Sequence, residues 1–187
     1  MVIALIPIGD SKRLKNKHFL NIGGKKIIEI IVDKISNISF FEDIVIYSTV
    51  PVKIKNTNLI IDQEKKGPLN VLLKVLKIYE KNVFLLAGDM PFISAEYIEK
   101  MLIYPEQLSV IPRWENGYLE PMHALYSKSC LNYNEKESFH EFIKYIPKIF
   151  LKAENFPRYQ FFNINTVDDL EIAKKIYYEN LTNNYEI

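Results

Sequence analysis

An α/β fold built on a mainly parallel, doubly wound sheet is predicted by three features of the chain. Val2–Ile8 and Val83–Ala87 are apolar without alternation, as strands covered on both faces are. Candidate strands and helices alternate through the first hundred residues, the order that βαβ units produce. Polar, glycine-bearing turns close both strands, at Gly9 and at Gly88-Asp89, and such sheets bind ligands at the carboxyl ends of their strands.

A basic segment, Gly9–His18, follows the first strand. Gly23-Gly24 reads as a turn, and Ile27, Ile28, Ile30, Ile31, Ile35 and Ile38 recur at helical spacing. Asp43–Ser48 is a second candidate strand and Leu59–Ile61 a short third. Gly67-Pro68 opens a helix over Leu69–Tyr79. A proline suits a first helical turn, where its missing N–H would have had no partner. Ser94 N-caps a short helix running toward Leu102. Leu108–Ile111 and Pro121–Tyr126 read as strands flanking the polar turn Glu115-Asn116-Gly117. Ser138–Ile146 is a helix and Phe161–Ile164 a last strand. Thr166 and Asp169 make a capping-box-like start for the helix Val167–Leu181. No internal repeat, linker or low-complexity segment interrupts this order.

The 187 residues suit one core rather than two. Apolar residues are 48% and charged residues 25%, close to the globular average. With 24 Lys+Arg against 23 Asp+Glu, the chain lacks the bulk positive charge of a nucleic-acid binder. Cys130 is the one cysteine, so no internal disulfide and no CxxC zinc knuckle can form. No apolar run is long enough to span a bilayer. Met1–Ile8 lacks the basic start and cleavage-type ending of a signal peptide. A soluble protein of a reducing compartment, the cytoplasm, is expected, with neither nucleic acid nor membrane as partner.

Three polar clusters fall at predicted strand ends. Lys12, Arg13, Lys15 and Lys17 follow Gly9, a glycine turn with cations that suits a triphosphate; a solvated basic loop is the competing reading. Neither GxxxxGK[ST] nor GxGxxG occurs, which excludes the common kinase and dehydrogenase motifs. Asp89 closes a buried strand, where it suits Mg²⁺, an ion that takes one or two carboxylates and otherwise water and phosphate oxygens. The alternative is a turn or capping aspartate. Asn163 and Asn165 would share one face of the last strand and orient phosphate or metal-bound water, or else bond a turn at the edge. His18, His123 and His140 have no zinc-like spacing, and His123 either lines a pocket or is structural. Trp114 with Arg113 and Tyr118 forms either a binding lip or a satellite cluster. Cys130 reads as a buried filler.

Four stretches, taken in order, resemble the MobA-type molybdenum cofactor guanylyltransferases, over Val2 to Leu170. They are Asp62 followed by Gly67-Pro68-Leu69; Leu86-Ala87-Gly88-Asp89-Met90-Pro91-Phe92; Glu120-Pro121-Met122-His123-Ala124-Leu125-Tyr126; and Phe162-Asn163-Ile164-Asn165-Thr166-Val167-Asp168-Asp169-Leu170. The first loop departs from the family's glycine-rich opening. It keeps Ser11 and Arg13, lacks two glycines and carries Lys17 one residue early, a spelling closer to cytidylyltransferases that activate acidic sugars. Pro7 also removes one backbone donor.

The resemblance implies a single three-layer, Rossmann-like nucleotidyltransferase domain over residues 1–187, with a mainly parallel mixed sheet. It implies Mg²⁺-dependent transfer of GMP from GTP to the phosphate of Mo-molybdopterin, with release of pyrophosphate. Arg13, Lys17 and Asp89 are then the catalytic residues, Asp89 holding the metal. Ile8, Gly9, Ser11, Arg13, Lys17, Asp62, Gly67 and Pro68 bind the nucleotide. Asn163, Asn165 and His123 bind the acceptor. Molybdenum-insertion proteins or a target molybdoenzyme are the implied transient partners. Two rivals stand beside this reading. One is another CTP- or GTP-dependent nucleotidyltransferase, acting on an acidic sugar or another phosphorylated cofactor precursor. The other is a non-catalytic nucleotide- or pterin-binding carrier.

Overall fold

The computed structural model of the chain describes residues 1–9, 13–62, 64, 66–133 and 138–183. Strand β1 (Val2–Ile8) serves both faces of a sheet: Ala4, Ile6 and Ile8 join one hydrophobic cluster, Ile3 and Leu5 another. Two-sided burial is why its sequence does not alternate. A hairpin of β2 (Asn21–Ile22) and β3 (Lys25–Lys26) follows, turned by Gly23 and Gly24 at φ +58° and +84°. A Cβ on Gly23 would also meet the Tyr177 ring at 2.1 Å, so the position needs glycine twice over.

Helix α1 (Ile27–Ile35) buries six β-branched side chains, Ile27, Ile28, Ile30, Ile31, Val32 and Ile35. Each loses up to about 0.7 kcal/mol of intrinsic helix propensity. Burial returns about 1.5–3 kcal/mol apiece, so packing decides the conformation. The chain continues through β4 (Phe41–Ser48), β5 (Asn58–Ile61), α2 (Pro68–Tyr79), β6 (Asn82–Leu86) and α3 (Ala95–Leu102). It ends with β7 (Ser109–Arg113), β8 (His123–Tyr126), α4 (Phe139–Tyr145), β9 (Lys148–Lys152) and α5 (Val167–Asn183). The expected caps form: Ser94 Oγ accepts from Tyr97 N at 3.1 Å and Ser138 Oγ from Glu141 N at 3.3 Å. Thr166 and Asp169 bond reciprocally at 2.9 and 3.1 Å.

Seven strands form one sheet in the order β5-β4-β1-β6-β8-β7-β9. Neighbours are parallel except around β8, which runs against β6 and β7. One edge of the sheet therefore collects the carboxyl ends of β5, β4, β1, β6 and β7 with the amino end of β8. Pro7 is tolerated inside β1 because the β6 ladder covers only Val2–Leu5, leaving a partner on the β4 side alone. The cluster with α1 and α3 covers one face and that with α2 and α4 the other, giving the three layers.

Two expectations are corrected. Phe161–Ile164 is not a strand: Arg158–Phe161 is a 3-10 turn, and the following residues extend without ladder partners. The aromatic side chains that suggested a strand instead pack sideways, Phe161 against Tyr97 and Trp114. In its place β9 pairs with β7 as an edge strand, only half-buried along most of its length, which weakened its pattern in the sequence.

Candidate active site

Asp89 stands three residues beyond β6, at the strand-end edge. Lys17 opens the 3-10 turn Lys17–Phe19 beyond β1. The Lys17 ammonium donates to Asp89 Oδ2 and, at 3.0 Å, to Asn165 Oδ1. Lys17 and Asp89 are each 8% exposed. A buried charge without a partner costs several kcal/mol, so at this depth the two must be paired. Two of the three ammonium donors are engaged among the described residues; an incoming anion can take the third.

The Asn163–Asn165 segment reaches the site by its backbone. The Ile164 N–H donates to the Asp89 carbonyl at 3.0 Å, and the Asn165 N–H to Asp169 Oδ2 at 2.9 Å. That second bond is the main reason the Asp169 carboxyl sits below its usual pKa, with Arg13 a smaller contributor. Exposed Arg13 therefore lies on this side of the site. The Asn163 side-chain oxygen is buried with no hydrogen-bond partner.

His18, weak evidence in the sequence, ties the site together. Its Nδ1 donates to the Gly88 carbonyl at 2.8 Å. Burial pulls its pKa down, opposed by that bond. Gly88 is required by close packing: a Cβ there would meet Ile8 Cγ2 at 2.8 Å and His18 Nδ1 at 3.0 Å. A glycine directly before a strand-end aspartate, and a histidine next to the loop lysine, were the signals available.

The remaining predicted nucleotide residues lie toward β4 and β5. Ile8 and Gly9 line a small cleft with His18, Ser48 and Val50. Asp62 follows β5, its N–H donating to the Ser48 carbonyl at 2.6 Å and its Oδ1 accepting from Glu64 N at 3.0 Å. Gly67, at φ +86°, allows the turn into α2, with Pro68 as its first residue. Three strand spacings, about 14 Å, separate β5 from β6, so only an extended ligand joins Asp62 to Asp89. Ser11 and Lys12 lie outside the described residues.

His123, on β8, is 1% exposed beside the Tyr97 and Phe161 rings, and its Nε2 is buried without a hydrogen-bond partner among the described residues. Its Nδ1 bonds the Met122 carbonyl at 3.0 Å, and burial brings its pKa down to about 4. Trp114 packs against the core beside Phe161, its Nε1 donating to Glu120 Oε1 at 2.8 Å. Arg113 turns away, its guanidinium 4.4 Å from the centre of the Phe150 ring. Cys130 is a buried filler as expected, its thiol pushed up to about 11 by burial.

No cluster of three or more His, Cys, Asp or Glu occurs among the described residues, and the oxygens nearest the strand ends are the Asp89 carboxylate and the Asn165 amide, both accepting from Lys17. One carboxylate with amide oxygens suits a hard cation that shares phosphate, not a cage-bound transition metal. No helix of the described residues is long and apolar enough to cross a membrane.

Residues 9–140 match the family model described as the MobA-like NTP transferase domain. A Natranaerobius thermophilus protein named "probable molybdenum cofactor guanylyltransferase" is 33% identical, the alignment covering 89% of this chain and 91% of that one. A Pyrococcus furiosus protein of the same name is 31% identical over 93% of this chain and 97% of its own length. Among solved structures, molybdopterin-guanine dinucleotide biosynthesis protein A of Archaeoglobus fulgidus superposes with a TM-score of 0.78 at 24% identity. That match covers 96% of this chain and all of the other. A CMP:2-keto-3-deoxy-manno-octonic acid synthetase bound to CTP shares the fold at TM-score 0.72 and 16% identity, covering 96% and 99% of the two chains.

Proposed function

The chain belongs to the MobA-like NTP transferase family, and on that premise we propose that it transfers GMP from GTP to the phosphate of Mo-molybdopterin, releasing pyrophosphate and forming the guanine dinucleotide cofactor. The observation that carries the reading is the meeting of Lys17, Asp89 and Asn165 at the ends of β1 and β6. We treat residues 1–187 as one transferase domain, at work in the cytoplasm, where a free thiol such as Cys130 stays reduced.

An acceptor phosphate oxygen is already ionised near neutral pH, so attack on the α-phosphorus needs no general base. The new P–O bond forms as the bond to pyrophosphate breaks, and the chain must supply alignment and positive charge. Lys17 offers its remaining N–H to phosphate, and Arg13 adds charge at the mouth. Enzymes of this family work with a divalent cation, for which we assign Mg²⁺ to Asp89, with the Asn165 amide alongside. Held there, Mg²⁺ would supply positive charge that offsets the charge developing on the phosphate oxygens. Asn165 also anchors the Lys17 ammonium. Asp62, Gly67 and Pro68 support the nucleoside end, and Ile8, Gly9 and Ser11 the base.

Calorimetric titration with GTP, ATP, CTP and UTP in the presence of Mg²⁺ tests the reading. GTP is expected to bind tightest, because a site built for guanine leaves polar groups unpaired with adenine at about 1–3 kcal/mol per group. Preference for CTP overturns it in favour of a sugar-activating enzyme.

A further inference from the structure

The two outer strands of the sheet carry different protection. β9 closes one edge with a lysine at each end, Lys148 and Lys152. The Lys148 ammonium also donates to the carbonyls of Lys144 and Ile146 beside the strand, at 3.1 and 3.3 Å. Lysine on an edge strand guards it against pairing with another chain. β5 closes the opposite edge with Asn58-Leu59-Ile60-Ile61, which carries no charge and no proline and keeps an unbroken register with β4.

Hydrogen bonding sets which groups of β5 face outward. The Asp62 N–H donates to the Ser48 carbonyl on β4 at 2.6 Å. Backbone groups alternate in direction along a strand, so those of Ile60 also face β4, and those of Leu59 and Ile61 face away from the sheet. The side chains of these two residues share one face, with Leu59 beside Ile46 and Ile61 beside Ser48. Each is 37% exposed. Outward donors and acceptors and exposed apolar side chains therefore fall on the same two residues.

We propose that β5 pairs with β5 of a second copy of this chain, antiparallel about a two-fold axis at Ile60. In that register Leu59 stands opposite Ile61 of the second copy, and the two exchange both of their outward N–H···O=C bonds; the axis repeats the exchange. The Leu59 and Ile61 side chains of the two copies then meet on one face as cross-strand apolar pairs. Charge favours the same arrangement. Exposed Lys53 and Lys55 precede β5, while Asp62 and Glu64 follow it, so antiparallel pairing turns the basic start of one strand toward the acidic end of the other. Glu64 also holds Lys66 and Lys74 of its own chain, at 2.9 and 3.8 Å. The two seven-stranded sheets then run on as one. Four residues a side bury less than the roughly 1,000 Å² of a stable interface, so the expected dimer is weak, with a Kd of about 10⁻⁴ M. β5 lies three strands from β6, so the pairing leaves Lys17 and Asp89 open.

The test is sedimentation equilibrium of the full chain from about 5 µM to about 1 mM, with amide hydrogen exchange read residue by residue at both ends of that range. A monomer–dimer equilibrium is expected, with the Leu59 and Ile61 amides protected only at the high concentration. The Ile60 amide, which faces β4, is expected to be protected at both. Leu59→Lys removes the apolar pair and places on β5 the guard that β9 already has. It is expected to weaken dimerisation by at least about tenfold, with little change in the urea midpoint. A chain that stays monomeric at about 1 mM overturns the pairing and leaves the edge to a strand of another protein. A dimer in which the Leu59 and Ile61 amides still exchange freely overturns it too, because the contact then lies elsewhere. So does a Leu59→Lys dimer as strong as the unmutated one. Exchange in the unmutated chain decides the matter even if the variant does not fold.

Discussion

His18 Nδ1 donates to the carbonyl of Gly88 across 2.8 Å, joining the segment after β1 to the strand end that carries Asp89. The two residues are 70 positions apart, and they determine where Lys17 and Asp89 can meet. Gly88→Ala is expected to force the Ile8 and His18 contacts apart. The expected loss is about 1–3 kcal/mol of stability, typical of overpacking, read as a lower urea midpoint. An unchanged midpoint would show that the contact relaxes freely.

Asp89→Asn is expected to abolish transfer, because the amide keeps the shape and loses the charge. It also leaves the Lys17 ammonium buried opposite a neutral group, so unfolding stability should drop by about 3–5 kcal/mol. The double variant Asp89→Asn, Lys17→Met is expected to regain much of that stability and none of the turnover. Near-normal turnover of Asp89→Asn in saturating Mg²⁺ sinks its metal assignment.

Lys17→Ala should weaken GTP far more than guanosine, by about one to two decades in Kd, since its proposed partner is phosphate. Equal weakening of both ligands would remove Lys17 from the phosphate site.

His123 makes the fold acid-sensitive in a defined window. Its pKa is lowered from 6.5 to about 4, so the unfolded chain takes up the proton first as pH falls. The contribution is fully present above pH 6.5 and is lost as pH falls toward 4, by about 3 kcal/mol in all. His18 is shifted in the same direction. His123→Leu should therefore flatten the urea midpoint's fall through that window without abolishing it. A parallel fall in both proteins would contradict the assignment to His123.

Cys130 should resist alkylation at neutral pH in the folded protein and react promptly once unfolded, as peptide mass spectrometry can follow. Burial and a pKa near 11 leave almost no thiolate to react. Rapid modification of the native chain would mean that the Ser109–Cys130 packing opens readily.

Local signals decided most of what the sequence determined by itself. The apolar runs of β1 and β6, the isoleucines of α1, Pro68 at the start of α2, and the caps at Ser94, Ser138 and Thr166 each act over a few residues and are legible without partners. They were enough to predict a parallel sheet and to bring Gly9 and Asp89 to one edge; the Asn163–Asn165 segment arrives there without the strand expected to carry it. Tertiary structure alone decided how those pieces join. Phe161–Ile164 resembles a strand, yet its aromatic side chains find Tyr97 and Trp114, and its backbone finds Asp89 through one bond. The sequence reads β9 poorly because an edge strand is only half-buried and shows no clear period. Lys17 turned inward to Asp89 because a carboxylate 72 residues away makes burial of its charge affordable. His123 is enclosed because the Tyr97 and Phe161 rings, distant in sequence, pack beside it on one face of the sheet. Hydrophobic periodicity reports what one element buries; which charged or polar partner it meets depends on chain crossings that no local pattern encodes.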